Sequence, residues 1–303
     1  MSERRTPPGT AVTEPGPSRV LLPALARLPG HLVWRAHGRV LVLLADKLPA
    51  GVDIHAYAVL LALADGEPRS QQSLAETTKV SRTTMVKVAA DLAHRGLLER
   101  VRNPLDRRSY ALTRTPAGAT AVRRWERHVL DLEDALADPF TPAEREEVRS
   151  LLLDVVRDEL ASDAPDQLLA SISFLITRVH FRMHRDFLLA LSPLGLEPRH
   201  FGALTALTAT GPVSQAELAR QLGTSGPSVV QIVDELEARG LVERHRMPTD
   251  RREQVLHLTL AVPSLLVEAH RLASETLAIR LGVLTPAQTA RLVELLARFV
   301  VAP

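Results

Sequence analysis

Arg95–Arg108 reads RGLLERVRNPLDRR, and Arg239–Arg252 reads RGLVERHRMPTDRR. Both run from Arg-Gly-Leu through Glu-Arg and a Pro to a closing Asp-Arg-Arg. They lie 144 residues apart, and the same offset aligns the chain on either side. SQQSLAE from Ser70 faces SQAELAR from Ser214, and FTPAEREEVRSLL from Phe140 faces LTPAQTARLVELL from Leu284. One register held through three separated blocks marks a tandem duplication, so each copy reads as one structural unit.

Working outward, Gly96 and Gly240 supply the left-handed residue that ends a helix. That helix runs from Ser81 to Arg95 and from Ser225 to Arg239. Its apolar positions, Met85, Val88, Ala89 and Leu92 against Val229, Ile232, Val233 and Leu236, follow the i, i+3, i+4, i+7 rule. One stripe is buried and the opposite face is left free. Upstream, Ser70 and Ser214 cap a short helix, and Ser214 with Glu217 forms a capping-box pair. A helix over 54–64 or 198–209 precedes it. Before that comes a long helix over 21–47 or 166–191, broken by Pro49 and Gly51 or Pro193 and Gly195. Downstream, 97–102 with 109–114, and 241–246 with 253–258, read as strand pairs around a hairpin tip. Two more helices close each copy, the last opening Thr-Pro-Ala-Glu at Thr141 or Thr-Pro-Ala-Gln at Thr285, a capping box with Pro at the first helical position.

The expected organisation is a Pro/Gly-rich disordered tail over 1–19, a first repeat over 20–160, a linker over 161–165 and a second repeat over 166–303. The linker is too short for a flexible tether. Apolar residues make up 46% and aromatics only 3%, and Leu and Ala dominate, so the fold class is mainly α with small β-wings. There is no cysteine, which excludes a thiol sensor and Cys-ligated zinc. No apolar run is long enough for a membrane span, and the tail lacks a signal-peptide core, so a cytoplasmic protein is expected. The 37 basic and 35 acidic residues nearly cancel, so the placement of charge must carry any argument about partners.

A helix, a short helix, a capped helix with a free polar face and an Arg-tipped hairpin form a winged helix-turn-helix. The DNA major groove admits one such helix, N-terminal side chains first. In the first repeat that end offers Ser81, Arg82, Thr83, Thr84 and Lys87. In the second it offers Ser225, Gly226, Pro227, Ser228 and Gln231. At the tips, Arg107 with Arg108 and Arg251 with Arg252 suit the minor groove, oriented by Asp106 and Asp250.

The block from Ser81 through RGLLERVRNPLDRRSYALTRTPAG, and its counterpart from Ser225 through RGLVERHRMPTDRREQVLHLTLAV, resemble the MarR family of bacterial regulators. The departures are Arg114, where Leu is usual before Thr, and Val262, where the closing Gly is expected. Members of that family are usually homodimers with interleaved terminal helices. The resemblance therefore implies two winged helix-turn-helix domains sharing a dimerisation-like helical bundle, with an internal pseudo-twofold. It further implies a repressor that binds a double-stranded DNA operator and is released by a small aromatic or anionic effector. By the same resemblance that effector sits near His31, Trp34 and Arg35, for which helix packing is the competing reading. Diverged heads predict an imperfect palindrome, with half-sites roughly 10 bp apart.

Eleven histidines invite a metal reading, but His180 with His184, and His31 with His37, have no third ligand nearby. No cofactor is expected. The chain carries no phosphate-binding loop, nucleophile elbow or zinc-protease motif, so an enzyme is not expected either. The alternative function is a duplicated winged-helix module for protein partners, with DNA binding lost in one or both heads.

Overall fold

The computed structural model describes residues 20–102, 110–246 and 254–302. In the first repeat the order is α1 (Pro23–Ala26), α2 (Pro29–Lys47), α3 (Ile54–Ala62), α4 (Gln71–Thr78), α5 (Arg82–His94), β1 (Leu98–Arg102), β2 (Tyr110–Arg114), α6 (Pro116–Ala137) and α7 (Pro142–Val156). The second repeats it as α8 (Asp166–Leu169), α9 (Ile172–Leu191), α10 (Pro198–Thr210), β3 (Val213–Ser214), α11 (Gln215–Leu222), α12 (Gly226–Ala238), β4 (Val242–Arg246), β5 (Gln254–Leu258), α13 (Val262–Leu281) and α14 (Pro286–Val301). The fold is mainly helical, with two winged helix-turn-helix heads.

Each expected long leading helix is in fact broken near its start. Pro29 pushes Leu28 into an extended conformation, and Ser171 accepts a hydrogen bond from Phe174 N as the cap of a fresh helix. The boxes at Thr141–Glu144 and Thr285–Gln288 are complete. The box expected at Ser214 is only half made. Ser214 caps Glu217 N, but the Glu217 carboxylate pairs with Arg220 and accepts from Gln221.

In the first repeat β1 and β2 pair antiparallel, Leu98 with Arg114 through Arg102 with Tyr110. In the second, β4 and β5 pair in the same way and β3 adds a third strand on β5. Two residues are too few for an alternating pattern to announce β3. Its counterpart in the first repeat is a single bridge, Arg69 to Leu112.

By contacts the described chain divides into two compact units that do not follow the repeat boundaries. The smaller comprises Arg199–Leu266 with residues 20–25; the larger comprises Ala26–Pro198 and Val267–Ala302. The larger unit holds the first head, whose core includes Leu60, Leu74, Met85, Leu92 and Trp125, and also Leu168 from the second repeat. It also holds a bundle built from both repeats. There α2 packs on α9, α7 on α9, α14 on α2, and α14 on α7. The trailing helix of each repeat thus lies against the leading helix of the other. Burial of an apolar stripe drives this packing: Leu32, Ala36 and Val40 on α2, Leu175, Val179 and Met183 on α9, and Leu152 and Phe299 on the trailing helices are all buried.

A buried carboxylate joins the repeats as well. Glu133 on α6 accepts from Ile172 N at 2.7 Å, Ser171 Oγ at 2.7 Å and Ser173 Oγ at 2.6 Å, satisfying the start of α9.

The two sequence departures have structural counterparts. Arg114 donates to the carbonyls of Leu60 and Ala64, tying the wing to the end of α3. Gly118 sits so close to the wing base that a side chain would run into the Leu97 carbonyl oxygen. The equivalent Val262 cannot approach in that way, and α13 starts two residues later than the α6 register would place it, leaving Leu260 fully exposed.

Candidate nucleic-acid interface

Each head presents its candidate reading helix on a serine cap. Ser81 Oγ accepts from Thr84 N at 3.1 Å and donates to Thr84 Oγ1 at 2.8 Å. Ser225 Oγ accepts from Ser228 N at 3.3 Å and lies 2.9 Å from Ser228 Oγ. These hydroxyls fix where the helix starts. The buried stripe of each helix is the expected one, Met85, Val88, Ala89 and Leu92 or Val229, Ile232, Val233 and Leu236. Arg82, Thr83 and Lys87 are exposed on the first helix, as are Gly226, Pro227, Ser228 and Gln231 on the second.

The sequence reading missed one pair, Val86 and its equivalent Val230, which are 57% and 42% exposed. They stand among the polar residues of the free face, where an apolar group can meet a thymine methyl in the major groove. Their signal was a bulky apolar residue off the buried stripe, at the same place in both copies.

The heads differ in charge. On α12, Asp234 and Glu237 both pair with Arg244 of β4. Glu235 accepts from the His200 ring at 2.7 Å, from Arg199 at 3.1 Å and from Gln231 at 3.0 Å. The His200 hydrogen bond, with Gln231 and Arg199 adding to it, holds the Glu235 carboxyl below its usual range. On α5 the equivalents of Asp234 and Glu237 are Ala90 and Ala93. Arg100, the counterpart of Arg244, is exposed and has no such pairing among the described residues. The wing-tip residues Asp106, Arg107, Arg108, Asp250, Arg251 and Arg252 lie outside the described residues.

His31, Trp34 and Arg35 all lie on α2. The His31 and Trp34 rings are 5.6 Å apart, and Arg35 is buried. Burial, with Arg35 adding to it, pushes His31 down to about 3, so the ring is neutral. Nearby, His37 stacks on His180 at 4.2 Å, and His180 lies 5.7 Å from His184. Burial, with His37, His184 and Arg178 adding to it, lowers His180 to about 3. No cluster of three metal-ligating groups occurs among the described residues, and no helix among them is long and apolar enough to cross a membrane.

A capped helix with a free N-terminal face, preceded by a short helix and followed by a paired-strand wing, occurs twice. The chain is thus a tandem winged helix-turn-helix protein. A family model described as MarR family matches residues 50–109 and again 194–253. A putative transcriptional regulatory protein for the hcr operon of Thauera aromatica is 33% identical over 114 residues, covering 38% of this chain and 69% of that protein. The chain belongs to the MarR family, in tandem form, and its relatives are transcriptional regulators.

Among solved structures, a probable transcriptional regulator from Pseudomonas aeruginosa is 29% identical, covering 42% of this chain and 96% of its own, with a TM-score of 0.40. A transcriptional repressor, CouR, bound to a 23-mer DNA duplex, is 33% identical, covering 41% of this chain and 87% of its own, with a TM-score of 0.39.

Proposed function

We propose that the chain is a sequence-specific regulator of transcription that binds double-stranded DNA as a single-chain pseudo-dimer. The carrying observation is the doubled head, in which each reading helix is buried along one stripe and open at its N-terminal face. The pseudo-dimer reading is supported by the bundle, where each repeat's trailing helix lies against the other's leading helix. In this reading Arg82, Thr83, Val86 and Lys87 contact bases or phosphates from the first helix, and Gly226, Ser228, Val230 and Gln231 from the second. The wing Arg pairs enter the minor groove. The site is an imperfect palindrome, because the two reading faces differ. Binding represses, and a small aromatic or anionic effector near Trp34 and Arg35 releases the DNA.

Selecting bound duplexes from a random pool tests the proposal. The expected product is two unlike half-sites about 10 bp apart, with specificity in one half lost on Arg82→Ala with Lys87→Ala. No enrichment of any duplex at moderate salt would overturn DNA binding. A perfectly symmetric motif would overturn the unequal heads.

A further inference from the structure

In a twofold dimer of one sequence, the contacting patch is the same on both partners, and a residue on the axis meets its own copy. Positions 147 and 291 are equivalents across the duplication, and they meet. Arg291 Nε donates to Glu147 Oε2 at 3.0 Å. Beside them Glu144 accepts from Arg291 Nη2 at 2.9 Å and pairs with Arg298 Nη2 at 2.7 Å. The equivalents of Glu144 and Arg298 are Gln288 and Asp154. Two copies of α7 in this arrangement would set Glu147 against Glu147 and Glu144 against Asp154. Two copies of α14 would set Arg291 against Arg291, with only Gln288 opposite Arg298.

The other end of the bundle repeats the logic with different residues. Arg182 on α9, whose side chain is 6% exposed, donates from Nη2 to Asp158 Oδ2 at 2.8 Å and from Nη1 to the Val155 carbonyl at 2.8 Å. The equivalents of Arg182 and Asp158 are Gly38 and Ala302. A pair of second repeats would bury Arg182 with Ala302 opposite, and a buried charge without its partner is strongly unfavourable. A pair of first repeats would leave Asp158 facing Gly38.

We propose that this bundle is a heterotypic pairing surface, on which the first repeat selects the second and rejects a copy of itself. The chain then closes as an ordered pair and always presents one head of each kind. This rests on the pairing of repeats within one chain proposed above, and not on DNA binding.

The test uses the full-length protein. Glu147→Arg and Arg291→Glu should each lower Tm by a few degrees at low salt, with a smaller loss at high salt. The chain carrying both changes should lose less than the two single losses added, because the 147–291 pair is restored with its signs exchanged while the acid now at 291 still faces Glu144 and Glu294. If a reversal fails to fold, Glu147→Gln and Arg291→Gln enter the same cycle, with a double loss smaller than the sum expected. Losses that simply add would overturn the selectivity.

Pairing choice is read directly, because the chain has no cysteine of its own. With a short bis-maleimide, Glu147→Cys with Arg291→Cys should crosslink within one chain, and Glu147→Cys alone should give no crosslinked dimer. A chain-to-chain dimer from the single variant would overturn the proposal. Absence of the internal crosslink would overturn the pairing reading itself, and neither result depends on a duplex.

Discussion

The two heads share a frame and differ in what they do with charge. The first leaves Arg82 and Lys87 exposed on its candidate reading helix and Arg100 exposed on its wing strand. The second has Gly226 and Gln231 at the equivalent helix positions, and Arg244, the counterpart of Arg100, is held by Asp234 and Glu237 of the same head. Duplication within one chain lets two exposed helix faces drift apart without losing their scaffold. A self-pairing dimer cannot do this, because every change appears twice.

If that contrast governs affinity, the largest effect falls on the first head. Arg82→Ala with Lys87→Ala should weaken binding to the selected duplex on the order of 100-fold, taking about 1–3 kcal/mol per good contact. Gln231→Ala should cost only a few fold. Fluorescence anisotropy at fixed salt measures both, and equal losses would erase the distinction between the heads. A second effect concerns the wing base. Gly118→Val should destabilise the protein by about 1–3 kcal/mol, because the start of α6 must move off the Leu97 carbonyl. Thermal unfolding checks this, and an unchanged Tm would show that the two wing bases are interchangeable. The smallest effect is a gain. Asp234→Asn with Glu237→Gln frees Arg244 and removes two negative charges from α12, and should tighten duplex binding roughly 3-fold. Unchanged or weaker binding in the same assay would mean that the second head does not approach DNA by this face.

Much of the architecture was legible in the residues. The single register linking Arg95 with Arg239 disclosed the duplication. The serines at 70, 81, 214 and 225, and the Thr-Pro-Ala starts at Thr141 and Thr285, marked helix starts that the structure keeps. What stayed hidden depends on contacts between distant residues. Nothing local to Ser214 shows that Glu217 turns to Arg220 and Gln221 rather than back to the cap. Strand β3 exists only because β5 lies beside it. The exposure of Val86 and Val230 needed the buried stripe to be located first, and the internal pairing of Arg244 needed the spatial meeting of β4 with α12. In the candidate interface, residue types at the helix starts were readable. The neutralisation that separates the heads was not, since it joins residues 7 and 10 positions apart across a helix end.

Glu133 carries a consequence for how the molecule is born. The carboxylate belongs to the first repeat, the amide and hydroxyls it satisfies open the second, and its own counterpart in the second repeat is the apolar Leu277. During synthesis the earlier segment folds first, so α6 can stand ready before Ser171–Ser173 leaves the ribosome. The nascent second half therefore meets a prepared anchor, and the order of the two copies along the gene becomes part of the assembly pathway.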